Sequence, residues 1–186
     1  MTISQQSDQH LQHKTRVVLL TPKAENNIAN MLLHVMEYHN KDVDFISIDG
    51  EENLSENNEF VVIEARKSVD RYTPNIALLC DVHPDIQTAD FINSMTNGGM
   101  LVYNEEVPAI KLVVTANTNQ IKKYPYMAPE VTLENGTYFL DTNEGKLPLE
   151  ITNETDIKNI LGVKWICQHM GIDEDDFFKA VGTFPS

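Results

Sequence analysis

"RVVLLTPKAENNIANMLLHVM", Arg16 to Met36, decides the fold. It opens on an apolar, β-branched run and closes on apolar residues at helical spacing. Ile28, Met31, Leu32, Val35 and Met36 fall on one face of a helix. "TRVVLL" (15–20) lacks the alternation of a half-exposed strand and reads as a strand covered on both faces. Between strand and helix lies the short loop "TPKAENN". A strand, a loop and a helix N-terminus together form an arrangement that can hold a phosphate. The chemistry of this loop therefore matters as much as its position.

Working outward, "VDFISID" (Val43 to Asp49) predicts a second strand and completes a βαβ unit. "FVVIEA" (Phe60 to Ala65) and "NIALLC" (Asn75 to Cys80) predict two more strands, with an acidic polar loop from Glu51 to Glu59 before them. A short helix around Thr88 to Met95 ends at Gly98 and Gly99. "GMLVYN" and "IKLVVTA" are expected to add two strands. The fold class is α/β, a mostly parallel sheet with helices on both faces. From Tyr126 the texture changes. Asn135-Gly136 and Asn143 to Gly145 are hairpin-turn signals between alternating runs. They predict a small antiparallel β meander at about 126–150, with strands near Val131–Leu133, Tyr138–Leu140 and Lys146–Leu149. Two helices close the domain at about 156–183. Asp173 is the expected N-cap of the second, and Gly171 separates them. Residues 1–14 are polar and aperiodic and read as a flexible tail, leaving 15–184 as one domain. His10 and His13 in that tail lack a carboxylate or Cys partner nearby, so they are not a metal pair.

The 186 residues carry 14 basic and 28 acidic side chains, a net charge of -14. That field repels nucleic acid and anionic membrane surfaces. No apolar run reaches the length of a membrane span, and the N-terminus has no signal-peptide pattern. The two cysteines, Cys80 and Cys167, lie far apart in apolar surroundings and read as buried thiols in a reducing cytoplasm.

Three stretches resemble the central, ATP-binding domain of the Mur ligases, which join amino acids or peptides to UDP-N-acetylmuramate in peptidoglycan synthesis and recycling. "PNIALLCDVHPD" (Pro74 to Asp85) is similar to the family's "PNIAVITNIDPDH". "FINSMTNGGMLVYNEE" (Phe91 to Glu106) resembles its F-x-x-F-I-x-x-I-x-x-G-G-x-L-I-Y-N-x-x-D. "LPLEITNETDIKNILGVKWICQHMGIDEDDFFKAVGTF" (Leu147 to Phe184) resembles its G-x-H-N-x-x-N-x-x-A-A helix and the L-G-I-x-E-x-x-F segment after it. The likeness covers roughly Thr15 to Phe184. It is nearest the UDP-N-acetylmuramate–alanine ligase and the tripeptide-recycling ligase.

The family's functional positions are replaced. Its G-T-x-G-K-T-(T/S) falls on Thr21, Pro22, Lys23, Ala24, Glu25, Asn26 and Asn27. Both glycines are gone, and Glu25 stands where the lysine neutralises phosphate. One carboxylate about 4 Å from one phosphate charge costs roughly 4 kcal/mol at an effective dielectric of 20. Pro22 has no N–H to donate. The helix after the loop is expected to be capped by Asn26 or a neighbour rather than by a ligand. Where the family has E-A-D-E at its metal site, Glu64 and Ala65 match but Arg66 and Lys67 do not. Asp85 is followed by Ile86 where the family has a metal-site His, and His83 is out of register. G-x-H-N-x-x-N becomes Asn153, Thr155, Asp156 and Asn159; only Asn159 is kept. It is either a helix-surface polar residue or a remnant of the adenine contact. The family's flanking domains, for the UDP-sugar and for the incoming amino acid or peptide, are not represented.

The resemblance thus implies a stand-alone, catalytically inactive Mur ligase central domain. No catalytic residue, no metal site and no cofactor is expected, and ATP binding is not expected. The expected role is a binding or regulatory protein linked to bacterial peptidoglycan metabolism, as a homodimer or with a protein partner. The alternatives are a component of an ATP-dependent ligase completed by other chains, and a structural dimerisation module. A Ser/His/Asp hydrolase lacks its nucleophile motif.

Overall fold

The computed structural model describes residues 11–22, 25–65, 72–82 and 86–185. Seven strands form one sheet: β1 (Thr15–Leu20), β2 (Asp44–Ile46), β3 (Glu52–Asn53), β4 (Phe60–Glu64), β5 (Ile76–Leu79), β6 (Met100–Asn104) and β7 (Lys122–Tyr126). Their order is β3-β2-β4-β1-β5-β6-β7. Every neighbouring pair is parallel except β2 with β3, which is antiparallel. β1 sits mid-sheet, with Val17 opposite Val62 on one side and Ile76 on the other.

Side-chain alternation divides the core into two layers. Val17, Leu19, Val62, Leu78 and Val102 face α1 (Ile28–Tyr38) and the two C-terminal helices. Val18, Leu20, Val61, Ile63 and Leu79 face the other way, toward α2 (Thr88–Asn93) and α3 (Pro108–Ala116). Each such fully buried aliphatic side chain contributes about 1.5–3 kcal/mol over an exposed one. The expected fold class is therefore the observed one.

One expected strand is a helix. "IKLVVTA" belongs to α3, which begins with Pro108 at its first turn. A strand would put Ile110, Leu112 and Val114 on one face. Instead Ile110 and Val114, four apart, are buried, while Leu112 is 72% exposed. Topology explains the choice: β6 and β7 are adjacent and parallel, so a crossover must join them, and α3 supplies it. The strand itself is "KKYPY", whose charge and proline conceal it. β7 lies at the sheet edge, where Pro125 removes no ladder bond that a neighbour needs. The acidic loop also contributes the two-residue edge strand β3.

The meander forms as expected, from β8 (Val131–Glu134), β9 (Thr137–Thr142) and β10 (Gly145–Leu149), in the order β10-β9-β8. Asn135 and Gly136 both have positive φ, as a two-residue hairpin turn demands. Leu140 and Leu149 tie this sheet into the α1-side core. Helix α4 (Glu154–His169) starts at Asn153, whose side chain accepts from Thr155 N. Helix α5 (Glu174–Val181) starts at Asp173, whose carboxylate accepts from Asp176 N at 2.9 Å.

Leu11 and Lys14, placed by the sequence in the tail, are packed: they are 5% and 7% exposed. Lys14 Nζ lies 2.8 Å from Asp44 Oδ2, with both side chains nearly sealed from water. Asp44 Oδ1 accepts from Ser55 N and Asn58 Nδ2, so the pair also fastens the acidic loop. The packed unit thus includes residues before Thr15.

Candidate functional site at the carboxyl edge of the sheet

In open parallel sheets, ligands bind beyond the carboxyl ends of the strands. Here that edge receives Thr21 after β1, Ala65 after β4, Asp81 and Val82 after β5, Asn104 to Glu106 at β6, and the start of α1. Thr21 is buried, and Glu25 is exposed. Lys23 and Ala24 of the loop, and Arg66, Lys67, His83 and Asp85, lie outside the described residues.

The loop is held by its own amides and by α4. Asn26 Nδ2 donates to Pro22 O at 3.1 Å, and Asn26 Oδ1 accepts from Ile28 N at 3.3 Å. Asn26 thus takes part in the cap expected of it. An anion comes from far away. Asp156, in the first turn of α4 and fully buried, accepts from Asn27 N at 2.7 Å and from Asn27 Nδ2 at 3.0 Å. Asn27 O then receives the first helical bond of α1, from Met31 N. Asn153 Nδ2 adds a second clasp, to Glu25 O at 3.0 Å. An amide at the start of α1, where a phosphate would be met, is already spent on a carboxylate. That carboxylate also offsets the positive end of the α1 dipole, which has no acidic residue in its own first turn.

Asn159 is 3% exposed. Its Oδ1 accepts from Tyr126 Oη at 2.6 Å, and its Nδ2 donates to Thr155 O at 2.7 Å. Both arms of the amide are used inside the chain. Tyr126 is wedged between the sheet and α4 because residue 162 is glycine: a Cβ there would stand 2.8 Å from the Tyr126 ring. Burial pushes the Tyr126 hydroxyl well above its usual range and the neighbouring Cys80 thiol up to about 12. Cys167 is likewise raised by burial. Both thiols stay protonated at neutral pH, and neither is poised as a nucleophile.

The charge of this edge is acidic. Glu64 ends β4, Asp81 follows β5, and Glu105 and Glu106 follow β6. Glu106 Oε2 accepts from Ala128 N, and Glu105 pairs with Lys111 at 3.1 Å. Ile86, at the family's metal-histidine position, is buried in the α2-side core. Among the described residues, no three His, Cys, Asp or Glu side chains cluster as metal ligands would. Neither is any helix among them long and apolar enough to cross a membrane.

Two partnerships were not legible beforehand: Asp156 with Asn27, and Tyr126 with Asn159. A signal for the first exists. Asp156 occupies the same helical stripe as Ile160, Val163 and Cys167, all buried, so a carboxylate stands where the pattern calls for an apolar residue.

The fold, a mostly parallel seven-stranded α/β sheet with a small antiparallel meander, is that of a Mur ligase central domain. Among solved structures it resembles the UDP-N-acetylmuramate:L-alanyl-gamma-D-glutamyl-meso-diaminopimelate ligase from Neisseria meningitides, with a TM-score of 0.72 at 16% identity, covering 95% of this chain and 68% of that one. The murein peptide ligase of Psychrobacter arcticus gives 0.72 at 14%, covering 96% and 48%. MurF of Acinetobacter baumannii gives 0.70 at 11%, also covering 96% and 48%. The chain thus spans about half the length of the last two. No protein-family model and no curated protein matches the sequence.

Proposed function

We infer that the chain is a non-catalytic Mur-ligase-like domain that works by binding or regulating a protein partner, in the cytoplasm and in connection with peptidoglycan metabolism. The metabolic link follows the ligases it resembles. The loss of catalysis follows the chemistry of the loop. The observation that carries the reading is the buried Asp156 carboxylate on Asn27 N, at the point where a nucleotide phosphate would need that donor. Glu25 and the acids at the ends of β4, β5 and β6 add repulsion to the lost donor. Asn159, the one residue retained from the family's adenine-side motif, acts here as a strut for Tyr126. No cofactor and no metal enters the function.

The test is thermal unfolding of the whole chain with and without Mg-ATP at about 100 times a typical binding constant. A working site would add about 2.7 kcal/mol by mass action. For a domain of this size that is a rise of roughly 5 to 10 °C. The expected shift is zero within error. A clear rise with Mg-ATP, absent with magnesium alone, would overturn the reading and favour a ligase component completed by other chains.

A further inference from the structure

Asp44, at the start of β2, and Lys14, just before β1, form an ion pair of 2.8 Å with side chains 0% and 5% exposed. The Lys14 ammonium has three N–H groups to place. It is met by three oxygens: Asp44 Oδ2, Asn58 O at 2.8 Å and Ser55 O at 2.5 Å. The same two loop residues hold the other oxygen of the carboxylate. Asp44 Oδ1 accepts from Ser55 N at 2.9 Å and from Asn58 Nδ2 at 2.8 Å. Strand and loop therefore build a cage of one anionic and two neutral oxygens. The cation inside it comes from a separate segment, anchored in the α2-side core by Leu11.

We propose that Asp44 Oδ2, Ser55 O and Asn58 O form a binding site for a primary ammonium ion, which Lys14 fills from within the chain. The donor set selects this class of ligand. A divalent metal takes six or more oxygens, and this cage offers three with a single charge. An ammonium group instead needs an acceptor for each N–H, which is what the cage supplies. Glu51, Glu52, Glu56 and Glu59 are exposed around the loop and raise the local concentration of cations. Burial gives the site its weight, because an empty cage leaves the Asp44 carboxylate sealed and uncompensated. The residues before β1 are thus a strap over the site, and its occupancy orders the acidic loop. None of this depends on whether the chain is catalytic.

Thermal unfolding of the full chain carrying Lys14→Ala, in chloride salts at equal ionic strength, tests the proposal. The melting temperature should fall, and propylammonium, which supplies the deleted atoms, should raise it. Above half-saturation each tenfold in concentration should add roughly 3 to 5 °C. Ammonium should act in the same direction. Potassium and tetramethylammonium carry the charge without N–H donors and should act only through ionic strength. The wild type should not distinguish the salts, because its cage is full. Lys14→Ala/Asp44→Asn should not distinguish them either, because the carboxylate is gone. If Lys14→Ala is unfolded in potassium chloride, refolding into propylammonium chloride, followed by circular dichroism, makes the same comparison. A Lys14→Ala response to propylammonium no larger than to potassium, or a selective gain shared by the wild type or kept by the double variant, would overturn the proposal.

Discussion

A carboxylate meets the amino terminus of α1 and another meets that of α5. At α5 the carboxylate is Asp173, three residues before the Asp176 amide it caps. Glu174, Asp175 and Asp176 add negative charge to the same turn. At α1 it is Asp156, which reaches Asn27 N from 129 residues away. The α5 end is exposed and local, written in four consecutive letters, Asp173 to Asp176. The α1 end is buried and exists only once α4 has packed. The difference teaches how a helix start can be satisfied without a local cap: a distant helix supplies the anion, and the joint becomes part of the core.

The largest effect should come from Asp156→Ala, which takes the acceptor from Asn27 N and Nδ2 on a half-buried residue and empties the buried site of Asp156. A loss of about 3 kcal/mol in urea unfolding is expected. Asp156→Asn keeps one acceptor and should cost less than half of that. Gly162→Ala comes next. Its new Cβ meets the Tyr126 ring, and overpacking of this kind costs about 1–3 kcal/mol, partly offset by the better helix propensity of alanine. Because Gly162 sets how closely α4 lies on the sheet, the double variant with Asp156→Ala should lose less than the sum of the two. Asp173→Ala should cost the least, about 1 kcal/mol, the ordinary value of an N-cap. Equal losses at Asp156 and Asp173 would erase the distinction between a core joint and a surface cap.

The same contrast between local and distant explains what the sequence could disclose. β1, α1 and the meander were legible because their periodicity and turn residues are local. The α5 cap was legible for the same reason. "IKLVVTA" misled because its β-branched residues suit a strand, while the need for a crossover between β6 and β7 is a property of the sheet and not of the segment. "KKYPY" was invisible because an edge strand tolerates the lysines and the proline that a central strand would exclude. At the candidate site, the lack of glycine and the presence of Glu25 in residues 21–27 could be read directly. That Asp156 would meet the start of α1 could not, since nothing in residues 21–27 names a partner so remote. Tyr126 closing on Asn159 depends equally on two segments meeting.

The central claim is that Asp156, and not a nucleotide, holds the amide at the start of α1. The backbone amide of Asn27, followed by proton–nitrogen NMR and hydrogen exchange, tests it most directly. The account predicts a Asn27 amide that exchanges slowly, does not move on titration with Mg-ATP, and loses its protection in Asp156→Ala. A saturable shift of Asn27 and Ile28 with Mg-ATP, absent with magnesium alone, would contradict it.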